Sequence, residues 1–255
     1  MGTKRHHLQG FKNRGILRNK ILITGISLLL KCHLLPAQYT AYDSVQVFSL
    51  LARSESHLNR SDYPAALQLA RNAWQISTRK YFLNGEASAL AQITTVLIEQ
   101  GDYSTAAGNP EKLLKIAERL NLKRIQGVAW LQTAQLHMYN ARYMLAETAY
   151  NRAIGLFTEK EIHAALAWHE KGFNYLLQGD MSSQAACFLR SLSLYEQLND
   201  KPGMAMIYNS LSVMYSNLGQ TEKAIEYALK AIAIREQENN VVRLSTSYCN
   251  LSQLY

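Results

Sequence analysis

The sequence is short of proline and cysteine. Its 255 residues include 4 prolines and 3 cysteines, and so little proline favours a largely helical fold, because proline disrupts helices. Cys187 and Cys249 fall in helical sequence far apart along the chain, which favours two buried thiols over a disulfide. The chain also lacks a phosphate-binding glycine loop, a Cys/His cluster with metal-ligand spacing and a nucleophile motif. We therefore expect no enzymatic activity, no cofactor and no metal site.

The excess of positive charge is confined to the N-terminus. The formal net charge is +8, but residues 1–37 contain seven Lys or Arg and no Asp or Glu, which leaves 20 basic and 19 acidic side chains in the rest of the chain. Nucleic-acid binding requires a basic surface on the folded domain. The nearly neutral body of the chain therefore argues against a nucleic-acid partner.

Residues 1–37 have the build of a bacterial export signal. A basic run precedes ten mostly apolar residues, Ile21 to Leu30, and Ala37 offers a small residue at a cleavage site. The apolar run is too short for an ordinary transmembrane helix. We expect an exported protein, in the periplasm or the cell envelope, that meets a membrane only through this segment or through a C-terminal span missing from this sequence. A lipid-modified Cys32, an uncleaved anchor and an Arg-rich organelle transit peptide are the alternatives.

A unit of about 40 residues recurs along the rest of the chain. Turn signals begin at Ser61, Gly101, Ala141, Gly179 and Gly219, with spacings of 40, 40, 38 and 40 residues. Self-similarity at a fixed period is the signature of a solenoid, in which each unit packs on its neighbours. The sequence therefore predicts one repeat array over residues 38–255. Its units lie near 47–86, 87–126, 127–164, 165–204 and 205–244, with a partial sixth unit at 245–255.

The unit at 205–244 shows the pattern most clearly. Large and small residues share one stripe of its first helix, a glycine marks the turn, and alanines line one side of its second helix. These positions are Tyr208, Leu211, Ser212, Tyr215, Gly219, Ala224, Ala228 and Ala231. The pattern resembles the tetratricopeptide repeat, except that Ala228 replaces the usual aromatic residue. The resemblance implies an all-α, right-handed superhelix of helix pairs. The excess over the family's usual period of about 34 residues should lengthen the second helix and the loop after it.

Two places depart from the regular pattern. Gly108 to Pro110 falls where the second helix of the second unit should continue, and proline disrupts a helix interior. We expect the helix to restart there with Asn109 as its N-cap, so that the break is either a tolerated loop or a gap that admits a partner. Residues 245–255 begin the pattern a sixth time. They form either a capping helix, with Ser247 among the residues facing water, or the start of a further repeat in a longer protein.

The resemblance also implies where a partner binds. In this family the inner groove is built from the first helices of successive repeats. The matching positions are rich in amides and aromatic residues: Gln92, Thr95, Leu131, Gln132, Gln135, Tyr139, His169, Glu170, Phe173, Leu177, Asn209, Ser210 and Val213. Because none of them is Lys or Arg, a clamp for a C-terminal carboxylate is not expected. Amides suit the backbone of an extended peptide or another repeat surface; alternatively they are plain polar surface. On this interpretation Gln132→Arg changes stability by less than about 0.5 kcal/mol.

Exported repeats with Gly-Asp-Tyr turns, as at residues 101–103, resemble the N-terminal sensory regions of bacterial membrane-bound histidine kinases and transcription regulators. The resemblance implies a non-enzymatic protein-interaction scaffold that forms the extracytoplasmic input region of a signalling protein and binds a protein or peptide in its groove. A free-standing exported adaptor is the main alternative. A more distant alternative is that the chain is part of a histidine kinase whose catalytic domains are missing from this sequence.

Overall fold

The computed structural model describes residues 39–237 and 241–254, excepting the side chains of residues 241 and 242. Within these ranges the chain forms twelve α-helices and no strand, which confirms the expected all-α class. None of these twelve helices is long and apolar enough to cross a membrane. The predicted export segment at 1–37 lies outside the described residues.

The helices stack in chain order, each long helix packing against the next. Their bounds are α1 Ala41–Leu58, α2 Tyr63–Arg79, α3 Leu83–Glu99, α4 Tyr103–Ala106, α5 Asn109–Arg119, α6 Lys123–Tyr139, α7 Tyr143–Leu156, α8 Ile162–Gln178, α9 Met181–Gln197, α10 Lys201–Asn217, α11 Thr221–Gln237 and α12 Val241–Ser252. We call α1, α3, α6, α8, α10 and α12, the first helices of the pairs, the inner helices. The second helices, α2, α5, α7, α9 and α11, are the outer helices. Each inner helix begins three to six residues before its predicted unit, because the repeat pattern starts about one turn inside the helix.

A residue in the left-handed backbone region ends most of the helices. These residues have φ between 52° and 83° and are Ser61, Tyr81, Gly101, Asn121, Ala141, Gly179, Asn199 and Gly219. They follow one another every 20 residues, except between Ala141 and Gly179. At each one the next amide donates to the carbonyl five residues earlier, as Asp62 does to His57 at 2.9 Å, which closes the helix in a Schellman turn.

The 20-residue interval consists of a helix of 17 residues and a turn of three. Most inner and outer helices have this same length of 17 residues. The residues in excess of the usual period are therefore shared between the two helices, and the prediction that they lengthen the second helix and its loop is wrong. Among the helices of other lengths, α7 has 14 residues and ends at Phe157 in extended backbone with ψ 147°. The shorter α7, a longer loop after it and a turn after α8 that is one residue shorter together give the spacing of 38 residues.

Alanine allows the outer helices to approach the inner ones closely. Ala224, Ala228 and Ala231 of α11 are 0, 2 and 0% exposed, as the repeat pattern predicts. On the facing inner helix the small residue Ser212 donates its hydroxyl proton to the carbonyl of Ala224 at 2.8 Å. Ser54 makes the equivalent bond in the first pair. These contacts satisfy a buried hydroxyl while holding the two helix backbones together.

The predicted break in the second unit is present. The short helix α4 ends at Ala106, and α5 begins at Asn109 with Pro110 in its first turn. Gly108 occupies the N-cap position, so the prediction of Asn109 as the cap is wrong by one residue. Leu113 is fully buried, which shows that α5 resumes the packing register. Pro110 is also buried, in the first turn of α5, which favours a tolerated break over a gap that admits a partner.

Two expectations at the C-terminal end differ from the structure. Cys187 is buried as predicted, but Cys249, also predicted to be buried, is exposed. Ser247, expected to face water if this helix is a cap, is 1% exposed. It accepts a hydrogen bond from the Arg235 guanidinium of α11, which also donates to the backbone carbonyl of Arg243 at 2.8 Å. The helix α12 therefore docks on α11 through a buried guanidinium.

Candidate binding groove on the inner helices

Polar side chains link successive inner helices. The linked residues lie about one repeat apart in the sequence. The bonded pairs are Ser54–Gln92 at 3.2 Å, Thr95–Gln132 at 3.0 Å, His169–Ser210 at 2.9 Å and Asn209–Asn250 at 2.9 Å. Between α6 and α8, Gln135 acts on Glu170 and lowers its pKa. These bonds place the inner helices side by side. We call the exposed side of α3, α6, α8 and α10 the groove.

Gln132 shows what these bonds do to the predicted groove residues. Its amide nitrogen donates to the carbonyl of Ala91 at 2.8 Å and to the Thr95 hydroxyl at 3.0 Å. The residue is 2% exposed, since α3 covers it. The interpretation of Gln132 as an exposed groove residue is therefore wrong, and so is the expectation that Gln132→Arg leaves stability unchanged.

Three further residues predicted to line the groove are buried. Leu131, His169 and Ser210 are 4, 4 and 9% exposed, because the neighbouring inner helices cover the sides on which they lie. A single helix pattern shows which side of a helix faces the groove, but the depth of a residue depends on the adjacent repeat. These three positions therefore serve packing between repeats.

The remaining predicted residues reach the surface. Tyr139, Leu177 and Val213 are 49, 52 and 39% exposed and come from three successive inner helices. The half-buried members of the set are Gln92, Thr95, Gln135, Glu170, Phe173 and Asn209. The groove thus offers an exposed apolar side chain on each of α6, α8 and α10, flanked by polar groups that partly serve to join the helices.

Two carboxylates lie close enough in the groove to influence each other. Glu170 of α8 has a side chain 17% exposed, and burial together with the charge of Glu99 raises its pKa to about 7, although a hydrogen bond from Gln135 acts in the opposite direction. Burial within the groove also raises the pKa of Glu99, which ends α3, and the positive charge of Arg243 on α12 opposes that shift. The Glu99 residue is exposed as a whole. Its pKa is nevertheless raised, because the surrounding protein atoms displace part of the water around its carboxylate.

An aromatic pair stands beside these carboxylates. The rings of Tyr103 and Tyr139 are stacked with their centroids 4.1 Å apart. Burial, a hydrogen bond with Tyr103 and the charges of Glu170 and Glu99 all raise the pKa of Tyr139. The phenol of Tyr139 is therefore near both carboxylates. Sequence reasoning missed Glu99 and Tyr103; Glu99 holds the same place in its unit as Tyr139 and Leu177 in theirs, which could have revealed it.

His169 has one ring nitrogen without a hydrogen-bond partner. Its Nε2 lies 2.9 Å from the Ser210 hydroxyl, which donates its own proton to the carbonyl of Met206. We therefore assign the ring proton to Nε2, which leaves Nδ1 as an acceptor. Nδ1 is buried without a partner and lies 3.9 Å from Oε1 of Glu170. Burial lowers the pKa of His169 to about 3, so the ring is neutral.

The groove offers acidic and aromatic groups. In the described parts of the chain, no group of three or more His, Cys, Asp and Glu side chains could hold a metal ion. The chemistry that these residues support is recognition, through a carboxylate, stacked rings, amides and apolar side chains.

Comparison with known proteins identifies the repeat. The sequence of residues 163–237 matches the tetratricopeptide repeat family. Clustered mitochondria protein homologs of Aspergillus niger and Aspergillus oryzae are 36% identical over 87 residues, which cover 32% of this chain and 7% of each relative. The chain thus matches only a small part of these curated relatives.

Solved structures share the fold at low sequence identity. BtubC from P. vanneervenii is 19% identical with a TM-score of 0.59, and the match covers 85% of this chain and 84% of that one. A Rap protein complexed with Competence and Sporulation Factor is 13% identical with a TM-score of 0.60, covering 85% and 65% of the two chains. A Pyrococcus horikoshii STAND protein with a tetratricopeptide repeat sensor is 15% identical with a TM-score of 0.60, covering 82% and 32%.

Proposed function

Since the chain folds as an array of tetratricopeptide repeats, we propose that it is a protein-interaction scaffold that binds a partner polypeptide along the groove. The observation that carries this proposal is the set of exposed apolar side chains Tyr139, Leu177 and Val213 on three successive inner helices. Neighbouring polar residues are used to join the helices, whereas these three side chains are exposed by about half. A partner that covered them would gain about 25 cal/mol for each Å² of apolar surface removed from water.

The half-buried amides fit an extended polypeptide. Gln92 and Asn209 each use part of their hydrogen-bonding capacity between helices, and Gln135 is half-buried in the same groove. An amide group has two donor protons and two acceptor lone pairs. The unused capacity can meet the backbone N–H and C=O groups of an extended segment. The apolar side chains would then supply affinity and the amides would fix the register of the bound segment.

A pair of leucine variants tests this proposal. Random peptides of twelve residues displayed on phage are selected against the 255-residue chain, and the strongest binder is titrated by fluorescence anisotropy. Leu177 of the groove is 52% exposed and Leu229 of the outer helix α11 is 50% exposed, so Leu229→Ala is a matched control for Leu177→Ala. We expect Leu177→Ala to weaken binding about tenfold, since burial of a leucine side chain contributes about 1.5–3 kcal/mol. Unchanged binding by Leu177→Ala, or an equal loss with Leu229→Ala, would contradict the proposal.

We further propose that the array is the extracytoplasmic input region of a signalling protein. Support comes from the basic and apolar segments within residues 1–37 and from the shared fold with a STAND protein described as having a tetratricopeptide repeat sensor. A free-standing exported adaptor is the alternative, and the reading frame beyond Tyr255 distinguishes them: a membrane span and an output domain favour the input region.

Export has a direct test. Alkaline phosphatase, which needs its disulfides and is active only outside a reducing cytoplasm, is fused after residue 60 and expressed in a bacterium. We expect phosphatase activity from the fusion that keeps residues 1–37 and none from a matched fusion that lacks them. Absence of activity from both fusions, with both accumulating to equal levels, would refute export.

A further inference from the structure

We propose that the groove selects a partner segment that carries an arginine or lysine side chain, and that Glu170 receives this cation beside the stacked rings of Tyr103 and Tyr139. This inference rests on the proposed function, because it specifies the chemistry of the same groove. Its occupant is an extended polypeptide with a basic side chain, as the charge of the receiving residues requires.

Acidic groups from two inner helices influence the same part of the groove. Glu170 lies on α8, Glu99 ends α3, and Tyr139 ends α6, the helix between them. Each carboxylate raises the pKa of Tyr139, and Glu99 raises that of Glu170, so the three groups are close enough to interact electrostatically. The two carboxylates repel each other, and a cation bound at Glu170 would relieve that repulsion.

The buried ring of His169 is a second and independent indication of a ligand. Its Nδ1 is an acceptor without a hydrogen-bond partner, in a residue 4% exposed, and it faces Oε1 of Glu170 at 3.9 Å. A buried acceptor left unsatisfied costs about 1–3 kcal/mol. The ionised carboxylate of Glu170 cannot satisfy it, because both groups are then acceptors, and at 3.9 Å a protonated Oε1 is too distant to donate a hydrogen bond to Nδ1. An ammonium group has three N–H donors and a guanidinium group has five. A cation bound at Glu170 would therefore supply hydrogen-bond donors beside two acceptors, the carboxylate of Glu170 and Nδ1 of His169.

The charged and titratable neighbours of this point come from several helices. Glu99 from α3 and Gln135 from α6 act on Glu170, Arg243 from α12 acts on Glu99, and the carboxylate of Glu170 acts in turn on the phenols Tyr139, Tyr150 and Tyr195. Arg243 thus already compensates Glu99 in part. The neighbours that act on Glu170 are a second carboxylate and a neutral amide, so Glu170 is the carboxylate that a ligand cation would compensate most.

The aromatic pair suits the same ligand. Guanidinium and ammonium groups are attracted to the faces of aromatic rings within about 6 Å, and arginine also stacks on such rings. Tyr139 is 49% exposed, so one part of the stacked pair can be reached from the groove. A basic side chain could therefore lie along the Tyr139 ring with its charged end at Glu170.

The test uses the peptides selected on phage and a matched pair of carboxylate variants. The basic residue of the strongest peptide is replaced by a neutral residue of similar shape, citrulline for arginine or norleucine for lysine, and both peptides are titrated. Glu170→Gln removes the charge in the groove, while Glu118→Gln removes one on the outer helix α5, where Glu118 is exposed. Circular dichroism confirms that both variants are folded.

We expect the basic peptide to bind the wild-type chain and Glu118→Gln about tenfold more tightly than its neutral counterpart, and Glu170→Gln to bind both peptides equally. Because the ligand cation binds the ionised carboxylate, whose pKa is about 7, affinity for the basic peptide should fall about fivefold from pH 8 to pH 6 in the wild type and remain constant in Glu170→Gln. Selected peptides without a basic residue, or a preference that survives in Glu170→Gln, would overturn the inference. In either case a loss of binding in Leu177→Ala would leave the proposed function intact, whereas no loss would refute both.

Discussion

Gln132→Arg tests whether the hydrogen-bonded pairs of the inner helices contribute to stability. The amide of Gln132 makes two hydrogen bonds to α3, to the Ala91 carbonyl at 2.8 Å and the Thr95 hydroxyl at 3.0 Å. The side chain is 2% exposed, so arginine there must either displace α3 or bury its charge. Both outcomes are unfavourable, because α3 and α6 pack directly against each other at this point.

The size of the effect follows from these contacts. Each lost hydrogen bond costs about 1 kcal/mol, and a larger side chain in a packed interior costs about 1–3 kcal/mol more. We therefore expect Gln132→Arg to reduce the free energy of unfolding by about 3–5 kcal/mol. For a chain of this size each kcal/mol lowers the melting temperature by about 2–4 °C, so the melt should move down by about 10 °C.

Gln135→Arg is the matched control, since Gln135 is half-buried on the same helix, one turn further on. Its new guanidinium would lie near the carboxylate of Glu170, whose pKa Gln135 already lowers. We expect Gln135→Arg to melt within about 2 °C of the wild type. Circular dichroism at 222 nm and urea titration measure both variants. Equal melts for Gln132→Arg and the wild type would show that α3 does not cover this side chain and would refute the packing described here.

Two further predictions concern packing and titration. Gly203→Ala places a Cβ atom 2.2 Å from the ring of Tyr195, whereas the Cβ atom of Gly155→Ala meets nothing within 4 Å. Gly203→Ala should therefore lower the melting temperature by several degrees. Gly155→Ala should raise it slightly, because alanine is favoured over glycine in a helix by about 1 kcal/mol. A melt of Gly203→Ala equal to that of Gly155→Ala would refute the close helix approach. The pKa of Glu170 is raised from 4.5 to about 7, so the folded chain holds a proton there that the unfolded chain releases. Because the lowered pKa of His169 acts in the opposite direction, the effect of Glu170 is measured as the difference in stability between the wild type and Glu170→Gln by urea titration. The stability of the wild type relative to Glu170→Gln should fall between pH 4.5 and 7 and then level off, with Glu170→Gln the more stable at pH 8; a difference that does not change with pH would contradict burial of the carboxylate.

Much of the fold could be predicted from turn residues alone. Each of the turns predicted to begin at Ser61, Gly101, Ala141, Gly179 and Gly219 has its first residue in the left-handed region. The turns that end the outer helices at Tyr81, Asn121 and Asn199 were not predicted. Asparagine adopts the left-handed conformation more readily than most residues, so Asn121 and Asn199 could have indicated two of these turns. Tyr81 gives no such local signal, and its conformation follows from the packing of neighbouring helices.

The candidate site could be predicted only as a side of each inner helix. Gln132 and Gln135 lie on the same side of α6, three residues apart, and the sequence gives no reason to treat them differently. One is buried under α3 and the other is half-buried beside α8, because the adjacent helices cover α6 unequally. The electrostatic interaction of Glu170 with Glu99 could not be predicted from the sequence either, because it depends on how closely successive inner helices pack.

Hydrogen–deuterium exchange with and without the strongest selected peptide tests the central claim most directly, that partners bind along the inner helices. The account predicts added protection of backbone amides in α6, α8 and α10, which carry Tyr139, Leu177 and Val213, and unchanged exchange in the outer helices α7, α9 and α11. Protection confined to the outer helices would contradict it.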